Sequence, residues 1–216
     1  MGRTLVVATK NRKKFEEIVA ILAGLPCDLA SLDAFGDIPA VPETGDTFEA
    51  NARAKALGYA RATGEWALAD DSGLEVDALG GAPGVRSSRW AGREGDDALN
   101  NETLMRRLAE HDRAVWTARY RCVMALATPD GAVLVTEGAC EGRITDRPAG
   151  SNGFGYDPYF QVPEHGRTMA ELPPETKNRI SHRARALEAM RAQLARLLQA
   201  DSGGPSPGAS GRRPHA

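Results

Sequence analysis

The chain has 216 residues, 42% of them apolar and 26% charged, an ordinary globular mix of a length that one domain can hold. Lysine and arginine number 27 and aspartate and glutamate 29, a formal net charge of −2, so no global positive field draws the chain to nucleic acid or to a membrane surface. Any hold on an anionic substrate must come from a few cations gathered in one place.

The chain opens with a short apolar run, Leu5–Ala8, that reads as a strand. A polar loop follows, and then Phe15, Ile18, Val19 and Leu22 fall on one helical face. A second helix should start at a cap on Asp46 or Thr47 and stop at Gly64. Trp66–Ala69 reads as a buried strand ending abruptly in Asp70-Asp71-Ser72-Gly73, with Leu74 to Val76 as a separate extended piece before the loop at Gly80–Gly84. A third helix is expected from Asp97 to His111. Trp116, Ala118, Tyr120, Cys122, Met124 and Leu126 then alternate with more polar neighbours, the mark of a half-buried strand. A turn at Pro129-Asp130-Gly131 returns the chain as a hairpin partner, Ala132–Cys140. A glycine-rich loop covers 150–159. The last helix is expected from Asn178 to Gln199, with Ile180, Ala184, Leu187, Leu194 and Leu198 facing inward. This order predicts an α/β fold with a mixed sheet. Residues 1–200 read as a single unit, and 201–216, rich in Gly, Ser, Pro and Arg, as a disordered tail.

The cysteines, Cys27, Cys122 and Cys140, are far apart with no C-x-x-C pair. That argues against a disulfide framework or a zinc site and suits a reducing compartment. Leu5–Ala8 is too short for the apolar core of a signal peptide, and no run reaches the length of a membrane span. A cytoplasmic protein is expected.

Several segments can carry chemistry. Thr9, Lys10, Asn11, Arg12, Lys13 and Lys14 lie between a strand and a helix, where free backbone N–H groups and added cations suit phosphate. The glycines of a Walker loop are absent. Asp70-Asp71-Ser72 at the end of an apolar strand sits where open α/β folds tend to place ligands. Magnesium takes oxygen ligands, usually one or two carboxylates plus substrate phosphate, and adjacent strand residues point to opposite faces, so one aspartate suffices. Asn51 and Lys55 share a helix face just after Glu43-Thr44-Gly45, and Glu43 is a further metal carboxylate candidate. Glycines 150, 153 and 155 let the backbone approach a ligand, with Phe154 and Tyr156 as an aromatic face. Lys177, His182 and Arg183 put cations at a helix start, against the macrodipole, as a segment holding an anion would. Each has a plain alternative: a solvated basic loop, a capping turn, a polar helix face, an ordinary turn, an exposed basic helix.

Together these segments resemble one family. The order T-x-N-x-x-K (Thr9, Asn11, Lys14), E-T-G, N-A-x-x-K-A, A-D-D-S-G-L, G-G-A-P-G, G-F-G-Y-D-P and K-x-x-x-S-H-R is similar to that of the inosine triphosphatase (Ham1-like) enzymes, pyrophosphatases of non-standard purine nucleotides. The resemblance runs from Leu5 to Leu198. It implies an elongated α/β fold, two lobes around a central cleft, and a homodimer. It places the triphosphate near residues 9–14, Lys55 and Lys177, makes Asp71 general base and metal ligand, Glu43 a second metal carboxylate and Ser72 a substrate contact. Phe154, Gly155, Tyr156 and Asp157 with His182 and Arg183 would form the base pocket. Many relatives carry Glu immediately before the Asn of N-A-x-x-K. Here Ala50 stands there, with Glu49 one step earlier, turned roughly 100° away on a helix.

The implied reaction is attack of water on the α-phosphorus of an inosine, deoxyinosine or xanthosine triphosphate, with Asp71 taking the proton, magnesium neutralising phosphate charge and the lysines stabilising the leaving pyrophosphate. Donors from Arg183, His182 or the loop backbone would pair with a keto oxygen and be left unpaired by adenine. Lys177→Ala should then weaken handling of every base alike. A nucleotide-binding module that hydrolyses nothing, and a phosphatase or kinase acting at the γ-phosphate, remain the rivals.

Overall fold

The structure, a computed structural model, describes residues 2–202. Its sheet has seven strands in the order β2-β1-β3-β4-β5-β6-β7 among the described residues. β1 (Arg3–Val7) runs parallel to both β2 (Cys27–Ser31) and β3 (Trp66–Val76), and every later pairing is antiparallel. β3, β4 (Thr117–Ala127) and β5 (Val133–Ile144) form a long spine, and β6 (Phe160–Val162) and β7 (Arg167–Thr168) close its far edge. The sheet is mixed, as the sequence predicts.

The period-two alternation of the strands sorts residues between two layers. Leu5, Val7, Leu68 and Met124 meet α1 (Arg12–Leu22) through Ile18 and Leu22, and α5 (His182–Ser202) through Leu187, Met190 and Leu194. Val6, Ala67, Ala69 and Ala125 face the opposite way, against Ala52, Ala56 and Ala60 of α2 (Phe48–Thr63). Alanines on both sides let α2 lie close to the sheet. Thr47 caps α2 by accepting the Ala50 N–H, and Gly64, left-handed at φ 72°, ends it. A second core gathers around the far halves of the spine, where Leu74, Val76, Ala118, Tyr120 and Phe160 pack with Leu104 and Leu108 of α3 (Asp97–Leu108).

Several expectations are corrected. β3 does not stop at Asp70; it runs unbroken for 11 residues, because β4 pairs with it from Ala67 to Val76. β2, β6 and β7 have no counterpart in the sequence reading: at 5, 3 and 2 residues they are too short for a period to announce them, and their pairing partners make them strands. α3 ends at Leu108, before His111. The last helix is two, α4 (Pro174–Ile180) and α5, broken at Ser181, whose ψ of 156° is extended and whose Oγ accepts the Ala184 N–H as a cap. Of the expected tail, Asp201 and Ser202 lie in α5, and 203–216 fall outside the described residues. No described helix is long and apolar enough to cross a membrane.

Candidate active site

β1 ends at Val7, opposite Leu68, and the last bond between them runs from the Ala8 N–H to the Leu68 carbonyl. β3 continues past that point, so Asp70, Asp71 and Ser72 lie in mid-strand where β1 no longer covers its edge. They floor a cleft of about 530 Å³ walled by Thr9, Lys10, Asn11 and Lys14 on one side and by Glu43, Lys55 and Arg89 on the other. A smaller cavity of about 150 Å³, lined by Phe154, Gly155, Tyr156, Asp157, Lys177, His182 and Arg183, adjoins it and shares Asn11, Lys14, Ser72 and Ser88. Carboxylates, lysines and the glycine-rich loop therefore converge on connected space.

The paired aspartates point to opposite faces and meet opposite surroundings. Asp71 turns to α2, where Asn51 Nδ2 donates to its Oδ2 at 2.9 Å and Lys55 Nζ lies 3.6 Å from Oδ1. Lys55 also donates to Glu43 at 2.7 Å, so one ammonium joins both candidate metal carboxylates. Asn51 further grips Gly45 at both its N–H and its carbonyl, which ties down the E-T-G loop. A Cβ on Gly45 would come within 2.7 Å of the Ala50 Cβ, so only glycine fits. Asp70 turns to the α1–α5 layer and accepts from Lys14 at 3.1 Å, Arg183 at 3.3 Å and Ser72 Oγ at 3.1 Å.

Burial raises the Asp71 pKa, and Lys55 and Asn51 offset only part of that. Burial acts on Asp70 in the same direction, but Lys14, Arg183 and Lys55 together hold it well below the usual carboxylate range. The two adjacent carboxylates are thus shifted in opposite directions, Asp70 down and Asp71 up. Lys55 stays charged: burial opposes its charge, and Asp70, Asp71 and Glu43 more than compensate. No group of three or more metal-binding side chains exists among the described residues. Glu43 and Asp71, both on Lys55 and both lining the cleft, offer the oxygen-only, two-carboxylate set that suits magnesium completed by phosphate.

Of the basic loop, Thr9, Lys10, Asn11 and Lys14 line the cleft. Asn11 also caps α1, accepting the Lys14 N–H at 3.2 Å. Lys13 instead reaches the Gly153 carbonyl at 2.7 Å, and Arg12 pairs with Glu16 on the outer face of α1 and lines neither cavity. Lys177 is not on the wall of the larger cleft. It sits near the end of α4, bound to Asp157 at 2.9 Å and Glu17 at 3.1 Å, with Nζ 4.8 Å from the centre of the Phe154 ring. Its place in the last turn of α4 complements the helix dipole, so the expected opposition to the macrodipole does not arise there.

Arg183 is 1% exposed, which rules out an exposed basic helix. It donates to Glu17, Asp70 and Ser72. Gly138 of β5 makes this possible, since a Cβ there would lie 2.4 Å from the His182 carbonyl and 2.5 Å from the Ala186 nitrogen, pushing α5 off the sheet. His182 stacks on Tyr120 with ring centres 4.7 Å apart. Burial, then the charges of Arg183 and Lys177, lower its pKa well below the ordinary histidine range.

The glycine-rich loop differs from expectation in two ways. Tyr156 is buried in the second core with its hydroxyl donated to the Ser87 carbonyl, and although it and Tyr120 border the smaller cavity, Phe154 is the more exposed ring of the loop. The loop backbone is also taken: Phe154 donates to Asp157 and accepts from it, Gly155 N–H donates to Asp97, and Gly155 carbonyl accepts from Asn101. Neither Phe154 nor Gly155 therefore offers a free backbone donor.

Glu17, Arg89, Asp97 and Asn101 were not singled out in the sequence. Glu17 follows Lys14 by three positions on one helix face, a legible signal. Arg89 donates to the Glu43 carbonyl at 3.2 Å, a contact across 46 residues that nothing local announces. Glu49 pairs with Arg53 at the surface and does not replace the carboxylate absent at Ala50.

The model of the Ham1 family matches residues 5–193. The chain is 52% identical over 190 residues to a dITP/XTP pyrophosphatase of Geobacter sulfurreducens, covering 88% of this chain and 96% of that one. It is 50% identical over 196 residues to one of Streptomyces avermitilis, covering 90% and 98%. Among solved structures, a HAM1 protein from Coxiella burnetii superposes with a TM-score of 0.83 at 43% identity, over 90% of this chain and 99% of that one. A nucleoside-triphosphatase, or dITP/XTP pyrophosphatase, from Mycobacterium abscessus does so with a TM-score of 0.71 at 45% identity, over 87% and 97%. Since the match spans every segment that lines the cleft, from Thr9 to Arg183, the chain belongs to the Ham1 family.

Proposed function

We propose that this protein hydrolyses non-standard purine nucleoside triphosphates, those bearing a keto group at C6, to the monophosphate and pyrophosphate, with magnesium held by Glu43 and Asp71. The relatives named dITP/XTP pyrophosphatase support the reaction, and the split of Asp70 from Asp71 carries the assignment of roles. A bound magnesium ion supplies charge neutralisation at the phosphates. Asp71, its pKa raised by burial, takes the proton of the attacking water. Asn51 orients that carboxylate, and Lys14 and Lys55 face the phosphate oxygens on which charge grows as pyrophosphate leaves.

The base enters the smaller cavity against Phe154. The buried charges of Arg183 and Lys177 are donors that a keto oxygen satisfies and an amino group does not, and an unmade buried hydrogen bond costs roughly 1–3 kcal/mol. A module that only binds nucleotide is disfavoured, because Glu43 and Asp71 repel a triphosphate unless a cation lies between.

The test is incubation with inosine, guanosine and adenosine triphosphates, with magnesium and then with a chelator, followed by identification of the phosphate product. Pyrophosphate from inosine triphosphate, lost on chelation, is the expected result. Orthophosphate would move the reaction to the γ-phosphate, and no product would leave a binding module. The reading carries with it a homodimer in the cytoplasm, for which sedimentation of the purified protein and cell fractionation are the direct measures.

A further inference from the structure

Gly155 is held from outside its own loop at both of its backbone polar groups. Asp97 Oδ2 accepts its N–H at 2.7 Å, and Asn101 Nδ2 donates to its carbonyl at 2.9 Å. The two side chains come from the first two turns of α3, four residues apart, and Asn101 also donates to the Asp97 carbonyl at 2.9 Å. Neither is needed to cap the helix, because Asp96 already does so through the Leu99 N–H. Asn101 is 8% exposed, and its Oδ1 has no partner, so its burial serves the bonds made by Nδ2. Gly155 stands at φ 64°, beside the Phe154 ring, and both residues line the smaller cavity.

The start of α3 is anchored on its other side as well. Asn100 accepts the Ala91 N–H at 2.9 Å and donates to the Ser88 carbonyl at 3.1 Å, while Gly95 N–H donates to the same carbonyl at 2.8 Å. Arg89, within that segment, donates to Glu43. Hydrogen bonds linked through adjacent residues of the chain, Ser88 to Arg89 and Asn100 to Asn101, therefore run from a candidate metal carboxylate, through the start of α3, to the glycine-rich loop.

We propose that Asp97 and Asn101 are positioning residues for base recognition. They set where Phe154 and Gly155 stand relative to the carboxylate side of the cleft, and so decide which bases fit; the proposal rests on the function proposed above. Because the backbone groups of Phe154 and Gly155 are all engaged, these two residues act on the base through their position, and releasing Gly155 both shifts the Phe154 ring and frees a donor beside the base.

The experiment compares Asp97→Ala, Asn101→Ala and Asp97→Asn with the parent chain. Steady-state rates are measured on inosine triphosphate, adenosine triphosphate and a ribose triphosphate lacking a base, and amide exchange at Gly155 is followed by NMR. Either alanine variant should lose about tenfold in kcat/KM for inosine triphosphate, chiefly through KM, and narrow the preference over adenosine triphosphate, with the base-free substrate unchanged. Asp97→Asn keeps an acceptor for the Gly155 N–H and should restore most of the preference. Equal losses on the base-free substrate would mark a merely structural role and overturn the proposal. So would a Gly155 amide as protected in Asp97→Ala as in the parent. If the parent itself leaves inosine triphosphate intact, the proposed function fails, and Gly155 exchange decides the holding role by itself.

Discussion

Asp70 and Arg183, 113 residues apart, meet at 3.3 Å with each side chain only 2% exposed. The contact joins β3 to the first turn of α5 and keeps Asp70 anionic beneath the cleft, with Lys14 on its other side. Asp71, the next residue, meets Asn51 and Lys55 instead, and the proposed function gives it the proton of the attacking water.

Neutralising each aspartate should therefore give different defects. Asp70→Asn takes from Lys14 its buried counter-charge and leaves Arg183 with Glu17 alone, a loss of up to about 3–5 kcal/mol in chemical denaturation. Asp71→Asn should leave the fold intact and lower turnover by roughly 10²-fold or more. An Asp70→Asn protein as stable as its parent, or an active Asp71→Asn, would reverse the assignment.

Lys177 lines the smaller cavity and not the larger cleft, so under the proposed function its defect should depend on the base, where the sequence suggested a uniform weakening. Lys177→Met removes a charged donor beside Phe154 and should lower kcat/KM for inosine triphosphate by about tenfold or more, from the roughly 1.5–3 kcal/mol of a hydrogen bond to a charged group. Rates on adenosine triphosphate should change much less. Parallel losses on both substrates would return Lys177 to the phosphates.

His182 links stability to pH. Its folded pKa is depressed, first by burial and then by Arg183 and Lys177, so the folded imidazole stays neutral. Below about pH 6.5 the unfolded chain binds a proton there that the folded chain does not, and stability falls as pH falls, by up to about 1.4 kcal/mol per unit. His182→Gln should flatten the denaturation profile between about pH 6.5 and pH 5, where ordinary carboxylates are still ionised. An unchanged slope would mean that another group takes up the proton.

Gly73 follows the aspartates and has no room for a side chain: a Cβ would lie 2.4 Å from both the Gly84 carbonyl and Ser87 Oγ. Gly73→Ala should cost about 1–3 kcal/mol, typical of overpacking, and lower Tm by several degrees. Since the clash displaces the strand beside Ser72, KM should rise as well. A variant with the parent's Tm would show that the turn at Gly84 yields freely.

The local chemistry of the chain was legible without coordinates wherever short-range rules decide it. Thr47 and Gly64 bound α2 as their capping roles require, Asn51 and Lys55 share a face by helical period, and the alternation along β4 marked one of its faces. Val123, Ala125 and Ala127 of the other face are buried too, under α2, so that this half of the strand is not half-buried. The ordered motifs from Thr9 to Arg183 also carried the family. Tertiary structure alone decided what depends on pairing across the chain. It made β3 continuous through Asp70, because β4 hydrogen-bonds to a stretch that reads locally as a turn. It also gave two adjacent aspartates unlike partners, Lys14 and Arg183 for one, Asn51 and Lys55 for the other. A carboxylate's role follows from the charges and donors within a few ångströms of it, and those here come from residues up to 113 positions away.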